Sequence, residues 1–211
     1  MTTLNEEFEI VIRTHDDEVY DYEKGEYRPQ YLEEIAITLA EIGISKEQIE
    51  HARTDAGVGA SAEAIAIVIA GLFFSGKRIQ ENLEAWINLG TRLNGVLRKL
   101  SRRGSGEHRT LYVSEPVAAA LAVGCIVERE SGLKRIELES ARIEQVPNRS
   151  IGPQFRGIFK YDQMRYYIFS FRVFGKRESV HLIGIRSTGE MEFHHILHIS
   201  EWEKFYGFDS D

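Results

Sequence analysis

The chain has 211 residues, of which 43% are hydrophobic and 28% charged, a balance that is typical of globular proteins and excludes wholesale disorder. With 18 glycines and 4 prolines it is not a fibrous or low-complexity chain. The formal net charge of −7 argues against a general nucleic-acid coat, because a basic face is needed to neutralise phosphates.

Cysteine content and hydropathy indicate the compartment. Cys125 is the only cysteine, so no internal disulfide can form and the chain suits a reducing environment. The first residues have neither the basic nor the apolar region of a signal peptide. The apolar run at 64–74 is shorter than the roughly 20 residues that a membrane-spanning helix needs. The sequence therefore predicts a soluble, cytoplasmic protein without a membrane span.

The N-terminal part begins with a strand and continues with helices. Residues 8–13 are rich in β-branched side chains and precede a polar turn, a pattern typical of a strand. Pro29 suits a helix start, and apolar residues then recur at helical spacing until Gly43. Ser45 is placed to cap a further short helix.

The next block shows a heptad-like spacing of apolar and small residues over five heptads, which predicts helix. It is compatible either with one long helix or with a helical hairpin that breaks at 75–76, and we favour two helices packed on a partner layer. The residues on this helical seam are Ile65, Ile69, Leu72, Gly76, Ile79, Leu83, Trp86, Gly90, Leu93, Leu97 and Leu100.

A polar, glycine-rich linker at 102–107 divides the chain into two predicted domains. Residues 1–105 would form a helix-rich α+β domain and residues 106–211 a β-rich α+β domain. The second domain is predicted to start with a βαβ unit: a strand at 110–113, an apolar helix to Val127, and an extended segment at 134–146.

After the βαβ unit, an antiparallel β meander is predicted. Its clearest signal is Ser187-Thr188-Gly189-Glu190, a turn between two strand-like segments. The predicted fold class is thus α+β.

The last hairpin clusters histidines. A two-residue turn at Thr188-Gly189 would place Ile183 opposite His194 and align His181, His194 and His198 on one face. We expect the other face, with Leu182, Phe193 and Leu197, to pack inward. Three imidazoles could bind Zn²⁺ with a carboxylate or water as fourth ligand, or they could be solvated or hydrogen-bonded side chains.

Other catalytic chemistry has little support in the sequence. The string at 57–62 has the spacing G-x-G-x-x-A, but polar residues precede it where a dinucleotide site needs a buried strand. There is no G-x-S-x-G nucleophile motif, and the apolar surroundings of Cys125 would raise its pKa. No catalytic residue and no cofactor other than the histidine-bound metal is therefore predicted.

The charge is distributed unevenly along the chain. Residues 1–63 carry 16 acidic and 5 basic side chains, residues 77–109 carry 3 acidic and 8 basic ones, and residues 106–211 are nearly neutral. The two oppositely charged segments could face each other within one domain or form two binding surfaces. The candidate protein-binding residues are those of the acidic N-terminal face and one seam residue: Asp16, Asp17, Glu18, Tyr20, Asp21, Tyr22 and Trp86.

Residues 5–105 resemble the effector-associated constant component family of bacterial conflict systems. The resemblance lies in the segment from Gly59-Ala60-Ser61-Ala62-Glu63-Ala64-Ile65 through Ser75-Gly76 to Leu83-Glu84-Ala85-Trp86-Ile87. In that family an N-terminal strand precedes a glycine-led apolar helix, a small-residue break and an L-x-x-W-I/L helix. The acidic segment at 20–27 departs from the pattern. The resemblance implies a non-enzymatic adaptor that couples a sensor to an effector, and it implies no catalytic residue.

These observations favour a cytoplasmic bacterial interaction or regulatory module, adaptor-like or immunity-like, in a defence system. Its partner would be another protein, an effector or a second copy bound through the helical seam. The alternative is a metal-dependent enzyme or sensor that uses the histidine cluster.

Overall fold

The computed structural model describes residues 9–14, 20–21, 26–27, 29–49, 63–68, 83–101, 109–146 and 164–199. Within these ranges helices and antiparallel strands are both well represented, which confirms the predicted α+β class. The elements are β1 (Glu9–Thr14), β2 (Tyr20–Asp21), β3 (Glu26–Tyr27), α1 (Pro29–Ala40), β4 (Glu63–Val68), α2 (Leu83–Ser101), β5 (Arg109–Val113), α3 (Glu115–Arg129), β6 (Arg135–Val146), β7 (Met164–Phe174), β8 (Glu178–Arg186) and β9 (Met191–His198).

The first sheet has three antiparallel strands in the order β4-β1-β5, so the first strand of the chain is the central one. Ile10 and Ile12 of β1 are completely buried, as expected of alternate β-branched positions on a covered face. The short strands β2 and β3 pair only with each other among the described residues. The predicted N-terminal strand is therefore confirmed.

The structure contradicts the helix predicted at the start of the seam. Residues 63–68 form β4, which pairs with β1 in the register Ile10↔Ile67 and Ile12↔Ile65. The prediction failed because a continuous apolar run fits a helical period and a strand equally well, and β-branched isoleucines favour the strand. Residues 69–82, the middle of the seam, lie outside the described residues.

The later part of the seam is helical, as predicted. In α2, Leu93, Leu97 and Leu100 are buried, together with Val96 between them. These positions are three or four residues apart and form one face of the helix. Because this face packs inside the molecule, the homo-oligomer predicted through the seam cannot use these residues.

The third helix is the centre of the core. Every residue of α3 from Glu115 to Gly124 is buried, and Ile126 is buried as well. A helix that is apolar on all sides needs partners on all sides. α3 contacts α2, β1, β7 and β8, so it lies between the helical layer and both larger sheets.

The closest contact in this core joins α2 to α3. A Cβ atom on Gly90 would collide with the carbonyl oxygen of Ala120 and lie 2.8 Å from the backbone nitrogen of Gly124. Two backbones can approach this closely only where both helices carry glycine. Gly90 of the seam and Gly124 of α3 therefore set the distance between the two helices.

The second sheet is antiparallel in the order β6-β7-β8-β9: β7, β8 and β9 form the predicted meander, and β6, which was predicted as part of the βαβ unit, adds a fourth strand. Tyr167, Phe169, Phe171 and Val173 share one face of β7 and are buried against the core. However, β5 and β6, which flank α3, belong to different sheets, so the predicted βαβ unit is wrong. The strand-helix-strand order was correct, but it does not reveal which strands pair.

Two hydrogen bonds connect the sheets directly. The backbone N–H of Val113 at the end of β5 donates to the carbonyl of Ser187 at 2.7 Å, and the hydroxyl of Tyr167 donates to the carbonyl of Val113 at 2.9 Å. One buried cluster contains side chains from both sides of the linker. The domain boundary at 105/106 stays a prediction, since residues 102–108 are outside the described ranges.

No helix in the described ranges is both long enough and apolar enough to cross a bilayer.

The glycine contact predicts opposite effects for two alanine substitutions on the same helix. Gly90→Ala should lower the free energy of unfolding by about 1–3 kcal/mol, because the new methyl group forces α2 and α3 apart. Gly95→Ala should raise it by about 0.5–1 kcal/mol, since a Cβ there meets nothing within 4 Å. Urea unfolding followed by circular dichroism measures both. Equal effects of the two substitutions would contradict the close crossing.

Candidate functional site

The last hairpin has the register predicted from its turn. Gly184 pairs with Phe193, Ile183 with His194, and His181 with Ile196. Gly189 adopts φ +83°, which suits glycine in the turn. Since directly paired residues share a face, His181, His194 and His198 lie on one side of the sheet, as predicted.

The face that packs inward is nevertheless the opposite of the one expected. His181, Ile183 and Ile185 lie on the face of Phe169 and Phe171 and are buried in the core beneath α3. The face with Phe193 and His195, whose rings stack at 5.5 Å, points away from α3. The prediction considered the hairpin alone, whereas the aromatic side chains of the neighbouring strand β7 decide which face is covered.

The buried histidines form a polar chain that ends at α3. Nδ1 of His181 lies 2.9 Å from Nε2 of His194, and Nε2 of His181 lies 3.3 Å from a carboxylate oxygen of Glu130. Glu130 is the C-cap residue of α3, and its backbone N–H donates to the carbonyl of Ile126. Ser179 Oγ is 3.1 Å from the same Nε2 of His181. The chain links the end of the helix to β8 and β9.

Nε2 of His181 faces two oxygens, the hydroxyl of Ser179 at 3.1 Å and the carboxylate of Glu130 at 3.3 Å. A carboxylate only accepts hydrogen bonds, so with the proton of His181 on Nε2 the ring donates to this side and its Nδ1 accepts from His194. In that tautomer His194 carries its proton on Nε2 and keeps a lone pair on Nδ1, a buried atom with no hydrogen-bond partner among the described residues. The resulting order, carboxylate to imidazole to imidazole, satisfies both nitrogens of the fully buried His181.

Both imidazoles are neutral at neutral pH. Burial lowers the pKa of His181 to about 4, and the nearby positive charge of Arg129 acts in the same direction. Burial likewise lowers the pKa of His194 to about 4, with further contributions from His181, Arg129 and His195. A general base with a pKa this low is poorly matched to reactions near pH 7. The chain is better suited to holding α3 on the sheet than to proton transfer.

The positions of the three histidines can be compared with the geometry that a zinc site requires. Zn–N bonds are about 2.0–2.1 Å long and need lone pairs that converge on the ion. In His181 and His194 the two nearest nitrogens face each other across a hydrogen bond, and Glu130 lies on the other side of the His181 ring. His198 pairs with Ser179 and is exposed. No group of three His, Cys, Asp or Glu side chains in the described ranges could hold a metal ion as they stand.

Among the described residues, β6 and β9 form the two edges of the meander, and these edges differ in their protection. β6 has twelve residues, a bulge between Leu138 and Ser140, and five charged side chains along its length. β9 has eight residues, a bulge at Glu192 where its register with β8 shifts, and one charged side chain, Glu192, in an ion pair with Arg186. Edge strands are normally protected from pairing with other chains by charges, bulges or proline. By these criteria β6 is protected along its length, whereas the stretch of β9 beyond its bulge, from Phe193 to Leu197, has neither a charged residue nor a proline.

Most of the predicted acidic face falls outside the described residues. Asp16, Asp17, Glu18 and Tyr22 are not described. Tyr20 and Asp21 form β2, opposite Tyr27 and Glu26. Trp86 lies in the first turn of α2. The protein-binding role of these residues stays a prediction.

A comparison of the chain with protein-family models, curated proteins and solved structures found no match.

Sequence reasoning found the histidines but missed their acidic partner. Glu130 is 51 positions from His181, and only the packing of α3 on the meander brings them together. An acidic residue at the end of an apolar helix is an ordinary feature, so the sequence held no signal for this contact. The unprotected edge could have been found, because β9 has so few charged residues.

The zinc prediction is tested by elemental analysis of protein purified without chelators. A site at His181, His194 and His198 requires about one zinc, iron or manganese ion per chain, and His181→Gln should abolish it. A metal content far below one ion per chain contradicts the site.

The lowered pKa values predict that stability falls in acid. Between pH 6.5 and 4 the unfolded chain takes up protons on His181 and His194 that the folded protein does not bind. The free energy of unfolding should therefore decrease as the pH falls through this window. For His181 the slope is at most about 1.4 kcal/mol per pH unit.

Urea unfolding at a series of pH values measures this slope. His181→Gln, which does not titrate, should make the slope between pH 6.5 and 4 shallower. His195→Gln, a control at an exposed position on the opposite face, should leave the slope unchanged. Parallel pH curves for wild type and His181→Gln would contradict the buried neutral pair.

Proposed function

We propose that the protein is a non-enzymatic interaction module that binds an extended segment of another protein along β9. The observation that carries the proposal is the unprotected edge of the meander. Strand addition to a sheet edge is a common mode of peptide recognition: main-chain hydrogen bonds supply affinity, and alternate side chains supply specificity.

The side chains of β9 support this mode of binding. Ile196 is 47% exposed and Met191 is 44% exposed, and both are large apolar residues on an edge strand. An added strand would cover such side chains and satisfy the outward backbone groups of β9. His194 adds no charge to the strand at pH 7, because burial lowers its pKa to about 4.

The contacts that hold the inner side of β9 in place also support the proposal. His194 is held by His181, and His181 is held in turn by Glu130 of α3. β9 is thereby fixed to the helical core in the conformation that a partner strand needs. Binding to a fixed edge loses less conformational entropy than binding to a mobile one.

The biological setting is proposed from the sequence. The resemblance of residues 5–105 to the effector-associated constant component family favours an adaptor in a bacterial defence system, with an effector as the partner. The single cysteine is consistent with a cytoplasmic location.

The two edges of the meander supply a matched pair of variants. Ile196→Lys places a charge on β9, and Ile143→Lys places the same charge on β6, at a residue that is 36% exposed. Both side chains lie on the α3 side of their edge strand, because Ile196 pairs with buried His181 and Ile143 with buried Tyr167. Each substitution should change the free energy of unfolding by no more than about 0.5 kcal/mol.

The test is recovery of a partner from native extract, followed by hydrogen exchange of the purified complex. Ile196→Lys should reduce recovery of the partner at least about tenfold, while Ile143→Lys and wild type recover it equally. The partner should slow exchange at the β9 amides that point away from β8.

Three outcomes would overturn the proposal. The first is a partner recovered equally by both variants. The second is a partner whose binding is lost when Asp16 and Asp17 are reversed to lysine but not with Ile196→Lys, which would place the contact on the acidic face. The third is protection of β9 by a second copy of the chain, seen as a dimer in light scattering.

A further inference from the structure

A strand added to β9 would place one of its two rows of side chains next to the last turns of α3. Glu128 of α3 lines the same cleft as Met191 of β9. Further along the helix, Glu130 lies 3.3 Å from Nε2 of His181, whose partner on β9 is Ile196. Successive side chains of a strand point to opposite faces of the sheet, so every second residue of the added strand would face this part of α3.

Several of the ionisable side chains around this edge already have a partner or carry no charge. The carboxylate of Glu130 takes part in the histidine chain, and both Glu190 and Glu192 pair with Arg186. His194 is neutral at pH 7, because burial lowers its pKa to about 4. These groups therefore offer little charge for a partner to neutralise.

Arg129 differs from them. It is the last residue of α3, it is exposed, and it forms no ion pair or hydrogen bond with the part of the chain that the structure describes. Its neighbour in the chain, Glu130, touches His181. Burial lowers the pKa of both His181 and His194, and the charge of Arg129 adds to this effect, so its guanidinium lies near the inner side of β9. An uncompensated positive charge beside a binding edge favours a negatively charged partner.

The second exposed charge of this turn, Glu128, belongs to the other end of β9. Glu128 lines the cleft together with Met191, which precedes the bulge of the strand. Burial and the charge of Glu128 raise the pKa of the Cys125 thiol, whereas the charge of Arg129 reaches His194 beyond the bulge. A segment paired with the unprotected stretch of β9 therefore meets the positive charge.

We propose that the segment bound by β9 carries an acidic residue that pairs with Arg129, two positions away from an apolar residue that covers Ile196. The inference rests on strand addition at β9, the proposed function, and names the chemistry of the partner. His194 and Ile196 lie on the α3 side of β9, so the partner residues that face them are also two positions apart. An antiparallel partner has the order apolar, any residue, acidic, and a parallel partner has the reverse. Lysine or arginine at the acidic position is repelled by Arg129.

The first experiment selects peptides without knowledge of the natural partner. A phage-displayed library of random decapeptides is selected on the intact chain and, in parallel, on Arg129→Gln. Peptides selected on wild type should carry the acidic and apolar pair, whereas those selected on Arg129→Gln should keep the apolar residue and lose the preference for acid. Arg142→Gln removes an exposed arginine from the opposite edge strand, β6, and as the control it should select the same peptides as wild type.

A double-mutant cycle then measures the pair itself. The tightest selected peptide, and the same peptide with an amide in place of the acid, are titrated by calorimetry against wild type and Arg129→Gln. At about 50 mM salt either change alone should weaken binding about three- to tenfold, and both together no more than one alone. The difference should shrink at about 0.5 M salt, because Arg129 is exposed.

Ile196→Lys separates failure of this inference from failure of the β9 proposal, because it should abolish binding of every selected peptide. Peptides that bind Ile196→Lys as tightly as wild type, or a library without enriched peptides, would contradict strand addition at β9 and this inference with it. Peptides that depend on Ile196 but show no preference for acid, or additive effects in the cycle, would overturn the pairing with Arg129 alone.

Discussion

The backbones of α2 and α3 touch where Gly90 crosses Gly124, and this contact determines how much of the third helix can be buried. With larger residues at the crossing, α3 would stand away from α2 and the apolar residues around Val117 and Leu121 would lose their partners. Closely packed interiors do not tolerate such gaps, because the side chains that line them lose dispersion contacts without gaining water. The position of the meander, and hence of the histidine chain, follows from the position of this helix.

The chain from Glu130 through His181 to His194 is the polar exception in this apolar centre. A buried imidazole without partners would be costly, whereas one with a hydrogen bond at each nitrogen is tolerated and also directional. The apolar contacts between α3 and the sheet would permit small sliding movements. The directional chain instead favours one position of the helix end relative to β8 and β9.

Much of the fold could be predicted from local patterns. The glycine turn was sufficient to predict the last hairpin of the meander and the register of His194 against Ile183, because both depend on adjacent residues. Helix α2 and the start of α1 at Pro29 were predictable for the same reason. The strand β4 was not, since its five apolar residues fit either period, and what decides the outcome is pairing with β1, about fifty residues away.

The site was less predictable than the fold. Which hairpin face is buried depends on β7, and the acid that orients His181 comes from the end of another element. Sequence reasoning can propose residue types for a site, but tertiary packing decides which of them meet.

The central position of β1 in its sheet has a consequence for synthesis of the chain. Both neighbours of β1 come later in the sequence, and β5 is complete only at Val113, about a hundred residues after β1. During translation β1 therefore leaves the ribosome long before it can complete its pairing, with Ile10 and Ile12 uncovered in the meantime. Strand pairings between distant residues form slowly and leave apolar strands open to aggregation. In a nascent chain β1 therefore stays open to non-native pairing until β5 has emerged.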